Sequence, residues 1–200
     1  MQIVPTLAAS AAAMALAVLL HPQRASAHCD TMDGPTAQDG QTALDTRNPS
    51  VALKWVGPES ASELSAVFER SLAARELGGA AREVADRWFL ENLIRLHRAG
   101  EGVAFTGLKP TGTPVDERVA AADRSIADGD LRALVGQVPS DRRPELARRF
   151  ATLLERQHYD IDDVDAGRAY IEAYVRFFKF AEGEDHDLPG TGTAHHHHEE

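Results

Sequence analysis

Ala80-Ala81-Arg82-Glu83-Val84-Ala85-Asp86-Arg87-Trp88-Phe89-Leu90-Glu91-Asn92-Leu93-Ile94-Arg95-Leu96-His97-Arg98 is the stretch that decides the fold class. It holds no Gly or Pro, and Val84, Trp88, Phe89, Leu90, Leu93, Ile94 and Leu96 make it apolar over much of a helical circumference. Such a pattern predicts a central helix. Gly78-Gly79 closes the element before it, and Gly100-Glu101-Gly102 ends it, because glycine is the usual residue just past a helix end.

Working outward, the same periodicity repeats. Upstream, Leu64, Val67, Phe68 and Leu72 mark a helix from Glu59 to Leu77. Asn48-Pro49 can cap and start a short helix through Val56, ended by Gly57-Pro58, and Pro35 can open one through Leu44. Downstream lies a loop from Gly100 to Pro114 with four Gly and two Pro. A loop of that length is uncommon in a compact domain and is often functional; Phe105 and Leu108 predict that it packs down. Further helices are expected from Val115 to Asp128, from Leu131 to Val135, after a Ser140 cap (Leu146, Phe150, Leu153, Leu154) and from Asp162 to Ala181 (Tyr170, Ile171, Tyr174, Val175, Phe177, Phe178). Strand-like alternation of Val, Ile and Thr is absent. The expectation is an all-α, single-domain helical bundle with one long ordered loop, over residues 28–182.

The N-terminus bears on location. Leu7 to Leu20 is an almost unbroken apolar run, followed by His21-Pro22 and the small-x-small sequence Ala25-Ser26-Ala27. This is the order of a secretory signal peptide, not of a membrane span, which needs about 20 apolar residues. Residues 1–27 are therefore expected to be a leader, cleaved to leave 173 residues starting at His28 in the periplasm or outside the cell, with no membrane insertion after processing. The net charge of −10 argues against nucleic acid, whose phosphates require clustered Lys and Arg, and against anionic membrane surfaces. No protein partner is indicated. Residues 183–200 are polar, end in His195-His196-His197-His198-Glu199-Glu200 and read as a disordered, histidine-rich tail.

Processing would make His28-Cys29-Asp30 the first residues, and that string carries most of the chemistry. The α-amine of His28, its imidazole and the thiolate of Cys29, the chain's one cysteine, place N and S donors within two residues. Planar N/S sets suit copper or nickel, and tetrahedral ones zinc. Asp30 and Asp33 can orient the imidazole as outer-shell acceptors. The alternative is that Cys29 is a small buried hydrophobe. His97 lies at i+4 from Leu93 and i+3 from Ile94, hence on the buried face, with Glu101 one turn on. The pair can supply metal ligands or an acid–base couple, or His97 can simply cap the helix end. The expected metal residues are His28, Cys29, Asp30, Asp33, His97 and Glu101. No phosphate-cradling loop and no GxSxG elbow is present, and His158 lacks an HExxH context.

Four strings, His28-Cys29-Asp30-Thr31-Met32-Asp33-Gly34-Pro35, Arg95-Leu96-His97-Arg98-Ala99-Gly100-Glu101-Gly102, Thr106-Gly107-Leu108-Lys109-Pro110 and Ala166-Gly167-Arg168-Ala169-Tyr170, occur in this order. The set resembles a bacterial family catalogued as a domain of unknown function. The resemblance spans His28 to about Glu182, implies a single helical domain and carries no activity or catalytic residues. A second resemblance covers only seven residues. Nickel superoxide dismutases begin His-Cys-Asp-x-x-Cys-Gly; His28, Cys29, Asp30 and Gly34 match that hook, while Asp33 stands where its second cysteine belongs. Three readings follow: an exported protein binding a transition metal at its mature N-terminus, a non-enzymatic interaction or stress-response module, and a redox metalloenzyme.

Overall fold

A computed structural model describes residues 28–183; the expected leader and most of the histidine-rich tail lie outside them. The described chain contains seven α-helices and one 3-10 turn: α1 Pro35–Thr46, α2 Ser50–Leu53, α3 Pro58–Arg75, α4 Gly79–Gly100, α5 Glu117–Asp128, the turn Val135–Gln137, α6 Arg143–Arg156 and α7 Val164–Glu182. Among the described residues there is no strand, only one parallel bridge between Thr31 and Lys109, and no helix is long and apolar enough to cross a membrane. The fold is all-α, as expected.

The helix α4 is the spine. It pairs with α3 in a hairpin and packs on α1, while α6 and α7 form a second hairpin, α5 leans on α7, and α2 touches α1, α3 and α7. Phe89, Leu90, Leu93 and Ile94 of α4 are all buried and meet Leu64, Val67 and Phe68 of α3, with the Phe68 and Phe89 rings edge to face at 5.5 Å. In the second hairpin, Leu146, Phe150 and Leu153 face Phe177, with Phe150 and Phe177 5.3 Å apart. Burying such a side chain stabilises the fold by roughly 1.5–3 kcal/mol. The close approach of α1 to α4 is eased by a glycine: a Cβ on Gly40 would lie 2.6 Å from a Leu90 methyl group and 2.8 Å from one of Leu93, and those side chains would have to shift.

Four local expectations are corrected. Val84 and Trp88 are 69% and 38% exposed, because α4 is covered by α1 and α3 without being enclosed. The Leu131–Val135 segment is a turn leading into the 3-10 element rather than a helix. The helix α6 has Arg142, not Ser140, at its cap position, and Pro144 opens its first turn. The short helix after Asn48-Pro49 ends at Leu53, with the chain turning through Val56. Pro49 holds its cap position, and the Asn48 side chain accepts from the Ser50 amide at 3.0 Å.

The loop after α4 is ordered by the N-terminal segment. The Lys109 amide donates to the Asp30 carbonyl at 2.8 Å, and the Met32 amide to the Lys109 carbonyl at 3.0 Å. Leu108 is buried between them and the core. These two bonds set Asp30 beside the C-terminal end of α4, where the candidate site lies.

Candidate functional site

The last turn of α4 presents His97, Arg98 and Glu101 on one side of the helix. His97 and Arg98 are each 4% exposed. A buried guanidinium needs charged partners. Arg98 pairs with Glu101 and, at 3.7 Å, with Asp30. Asp30 is wholly buried and also has Lys109 Nζ at 3.8 Å, while Lys179 of α7 stands 3.7 Å from the second Glu101 oxygen. Two carboxylates and three cations thus meet between the N-terminal segment, the loop, α4 and α7.

The preceding residues wrap around this centre. His28 Nε2 lies 2.6 Å from Asp123 of α5, and its ring stacks on Phe178 at 5.4 Å. Cys29 is half-buried as a residue, with its thiol turned inward. Burial, and after it the Glu101 carboxylate, push that thiol up to about 12, the Thr36 hydroxyl partly offsetting them. The thiol is therefore protonated at neutral pH. Beside it the Tyr174 hydroxyl is buried without a hydrogen-bond partner. Burial, then the proximity of Cys29, raises its pKa well above the usual phenol value. A cavity of 20 Å³ separates these groups, space for about one water. Gly34 allows the turn, since a Cβ there would collide with the His28 carbonyl oxygen. Gly34, one of the four residues that match the nickel hook, is thus accounted for by sterics.

His97 faces the other way. Its Nδ1 lies 2.9 Å from the Trp55 carbonyl oxygen. An oxygen can only accept, so Nδ1 carries the proton and Nε2 presents a lone pair. Burial, the largest influence, lowers the His97 pKa despite the opposing Glu101 carboxylate, which keeps the ring neutral. Nε2 has no hydrogen-bond partner, Glu101 being 4.0 Å away. Trp55 is held in turn by Asp39 of α1, which accepts from its indole N–H at 2.7 Å and pairs with Lys54 at 2.9 Å.

His97 and Glu101 line a groove of 580 Å³ between the Lys54–Glu59 segment, the end of α4 and the first half of α7. Its walls are chiefly Trp55, Val56, Pro58, Ile171 and Val175. Arg168 of α7 donates to the Val56 carbonyl at 3.0 Å and pins the rim.

Four of the six residues singled out in the sequence, His28, Cys29, Asp30 and Glu101, come together around Arg98, while His97 turns to the groove on the other side of Glu101. Asp33 does neither. Its carboxylate caps the loop by accepting from the Gly112 amide at 2.9 Å, and that bond above all lowers its pKa. Among the described residues no group of three or more His, Cys, Asp or Glu side chains is arranged to hold a metal ion; the two buried carboxylates already face Arg98, Lys109 and Lys179. Sequence reasoning missed Arg98, Tyr174, Lys179 and Asp123. Arg98 carried a signal, since it sits four residues after Ile94 on the same face.

The chain matches the family of unknown function DUF6448 over residues 33–180. It belongs to that family. No curated protein and no solved structure matches it. The family match begins at Asp33, after the His28-Cys29-Asp30 string, and nothing in these comparisons supports the likeness to nickel superoxide dismutase.

Proposed function

We propose that this domain is the binding module of an exported protein, and that its groove takes a small, largely apolar molecule carrying a hydrogen-bond donor. The observation that carries this reading is His97 Nε2, a buried acceptor with its tautomer locked and no partner, lining a groove with apolar walls. Pockets of this size and make-up, with few convergent polar groups, are the usual form of small-molecule sites. Of the lining carboxylates, Glu101 is paired with Arg98 and Lys179, Glu172 with Arg176 and Asp165 with Arg168, which leaves Glu59 to favour a protonated amine.

The test is a titration with hexylamine, hexanol and hexanoate, followed by the 15N resonance of His97 Nε2. The amine should bind best and the carboxylate worst, with Nε2 moving on saturation and binding lost in His97→Phe. An undisturbed Nε2, or a preference for hexanoate, would sink the reading.

A second reading is a transition metal held by His28 and Cys29. Its support is that His28, Cys29, Asp30 and Glu101 lie around one centre. It requires the His28 ring to leave Asp123 and the thiol to give up its proton. Metal content settles it, on protein exported through its own leader and truncated after Glu182, with intact mass fixing the first residue. Near-stoichiometric copper, nickel or zinc, lost in Cys29→Ser, supports the site; metal-free protein beginning at His28 refutes it.

A further inference from the structure

The chain is acidic overall, yet one cleft between α6 and α7 gathers arginines. A space of 250 Å³ there is lined by Arg148, Arg149, Thr152 and Arg156 of α6 and by Ala173 and Arg176 of α7. Arg149, Thr152 and Arg156 follow i, i+3, i+7 spacing on one helix face, and the short Ala173 leaves the room between the helices. No carboxylate lines the cleft.

The guanidiniums are held from outside it. Glu145 accepts from Arg148 at 2.7 and 2.6 Å and from Arg149 at 2.7 Å. Arg149 also donates to the Arg176 carbonyl at 3.2 Å and lies over the Phe180 ring. Arg156 donates to the Ala169 carbonyl at 3.1 Å. Glu172 pairs with Arg176 at 2.8 Å. Arg148, Arg149 and Arg156 are therefore balanced by the one carboxylate of Glu145, a surplus of two positive charges, while Arg176 already has Glu172. Each guanidinium has five N–H donors, and the contacts named use one or two from each of Arg148, Arg149 and Arg156. Arginine forks match tetrahedral oxyanions, which accept two parallel bonds from one fork, and Thr152 adds a hydroxyl.

We propose that this cleft binds the dianionic phosphate of a phosphate monoester. The two negative charges equal the surplus, and the phosphate oxygens accept from Arg148, Arg156 and Arg176 across the cleft. The same group occurs on small metabolites and on a phosphatidic acid headgroup, and the test separates these sources. The full-length chain is titrated at pH 8, where the tail histidines are neutral, with glycerol 3-phosphate and, separately, with phosphatidylcholine vesicles with and without phosphatidic acid. Saturable one-site binding is expected, weakening with salt. It should fall about tenfold in Arg156→Gln and in Arg176→Gln, the loss of one charge-assisted bond. Arg156 touches only one backbone carbonyl from an exposed position, so that variant keeps the fold, and circular dichroism confirms it. Binding to the soluble ester alone assigns a metabolite, and binding to phosphatidic acid vesicles alone assigns a headgroup. No saturation below about 10 mM in either arm, or binding unchanged in both variants, overturns the proposal.

Discussion

On one side of Glu101 the free space is 20 Å³, ringed by Cys29, Arg98 and Tyr174. On the other side it is 580 Å³, with His97 beside it and apolar walls around it. The closed side is built from opposite charges that satisfy each other: Arg98 with Asp30 and Glu101, Lys109 with Asp30, Lys179 with Glu101. Each side keeps a buried polar atom without a hydrogen-bond partner, the Tyr174 hydroxyl on the closed side and His97 Nε2 on the open one, but only the open side has room beside it for more than about one water. One helix end thus makes a lock and a receptive surface from neighbouring residues. Buried titratable groups mark function only where a polar atom is left over and space lies beside it; where they neutralise each other they fasten segments together. Each prediction below strains one side and leaves the other.

The largest effect should come from the lock. Asp30→Asn removes the carboxylate that Arg98 and Lys109 share in the interior. Breaking a buried pair from one side costs about 3–5 kcal/mol, and urea unfolding should show a loss of that size. A loss below about 1 kcal/mol would mean that the charges are solvated and that the closed side is no lock. Gly34→Ala should cost less, about 1–3 kcal/mol, the range for forcing atoms into packed space. It pushes a methyl group against the His28 carbonyl. Hydrogen exchange should rise at the Met32 and Lys109 amides, while the Trp55 indole resonance stays in place.

Much of this plan was legible in the sequence. Helical periodicity located α3, α4, α6 and α7, because each buries one face against a neighbour and so must repeat its apolar residues every three or four positions. His97 could be placed on the buried face from Leu93 and Ile94 alone. Other features depend on contacts between distant segments. That Lys109 meets Asp30 follows from how the long loop crosses the N-terminal segment, and no local spacing encodes that crossing. Val84 and Trp88 fit an apolar helix face, yet their exposure depends on how far α1 and α3 reach around α4. Arg98 shares the face of Ile94, yet guanidinium burial is rare without partners, and its partners Asp30 and Glu101 come from the N-terminal segment and the start of the loop. The arginine cleft was hidden for a related reason: a net charge averages over the chain, whereas Arg148, Arg149, Arg156 and Arg176 are brought together by the α6–α7 hairpin.

The open side should show in pH dependence. The folded-state pKa of His97 lies below its ordinary value of 6.5, so the unfolded chain binds the proton more readily. Stability is then full above about pH 6.5 and is lost as pH falls through the interval down to the folded-state value. The slope in that interval is at most about 1.4 kcal/mol per pH unit. His97→Gln should flatten it while retaining a donor for the Trp55 carbonyl. An unchanged slope in this variant would mean that the pH dependence does not come from the open side.

The smallest effect on stability, and the sharpest separation of the two sides, should come from Cys29. Cys29→Ala removes an inward-turned sulfur that makes no ion pair, and should cost about 1 kcal/mol, the middle of the range for ordinary point substitutions. The informative readout is chemical. A thiol whose pKa rises from 9.0 to about 12 on folding has about 1000-fold less thiolate at neutral pH than in the unfolded chain. Because the thiolate is the nucleophile, iodoacetamide should label the native protein slower by a comparable factor and reach full rate in urea. The sign also fixes the alkaline limb: the raised pKa contributes stability that is present below pH 9 and lost as pH climbs from there towards 12. Hexylamine in the groove should leave the labelling rate unchanged if Glu101 insulates the two sides. If the amine accelerates labelling, Glu101 has moved away from Arg98 and exposed the thiol, and the closed side is then a latch that the groove's occupant releases.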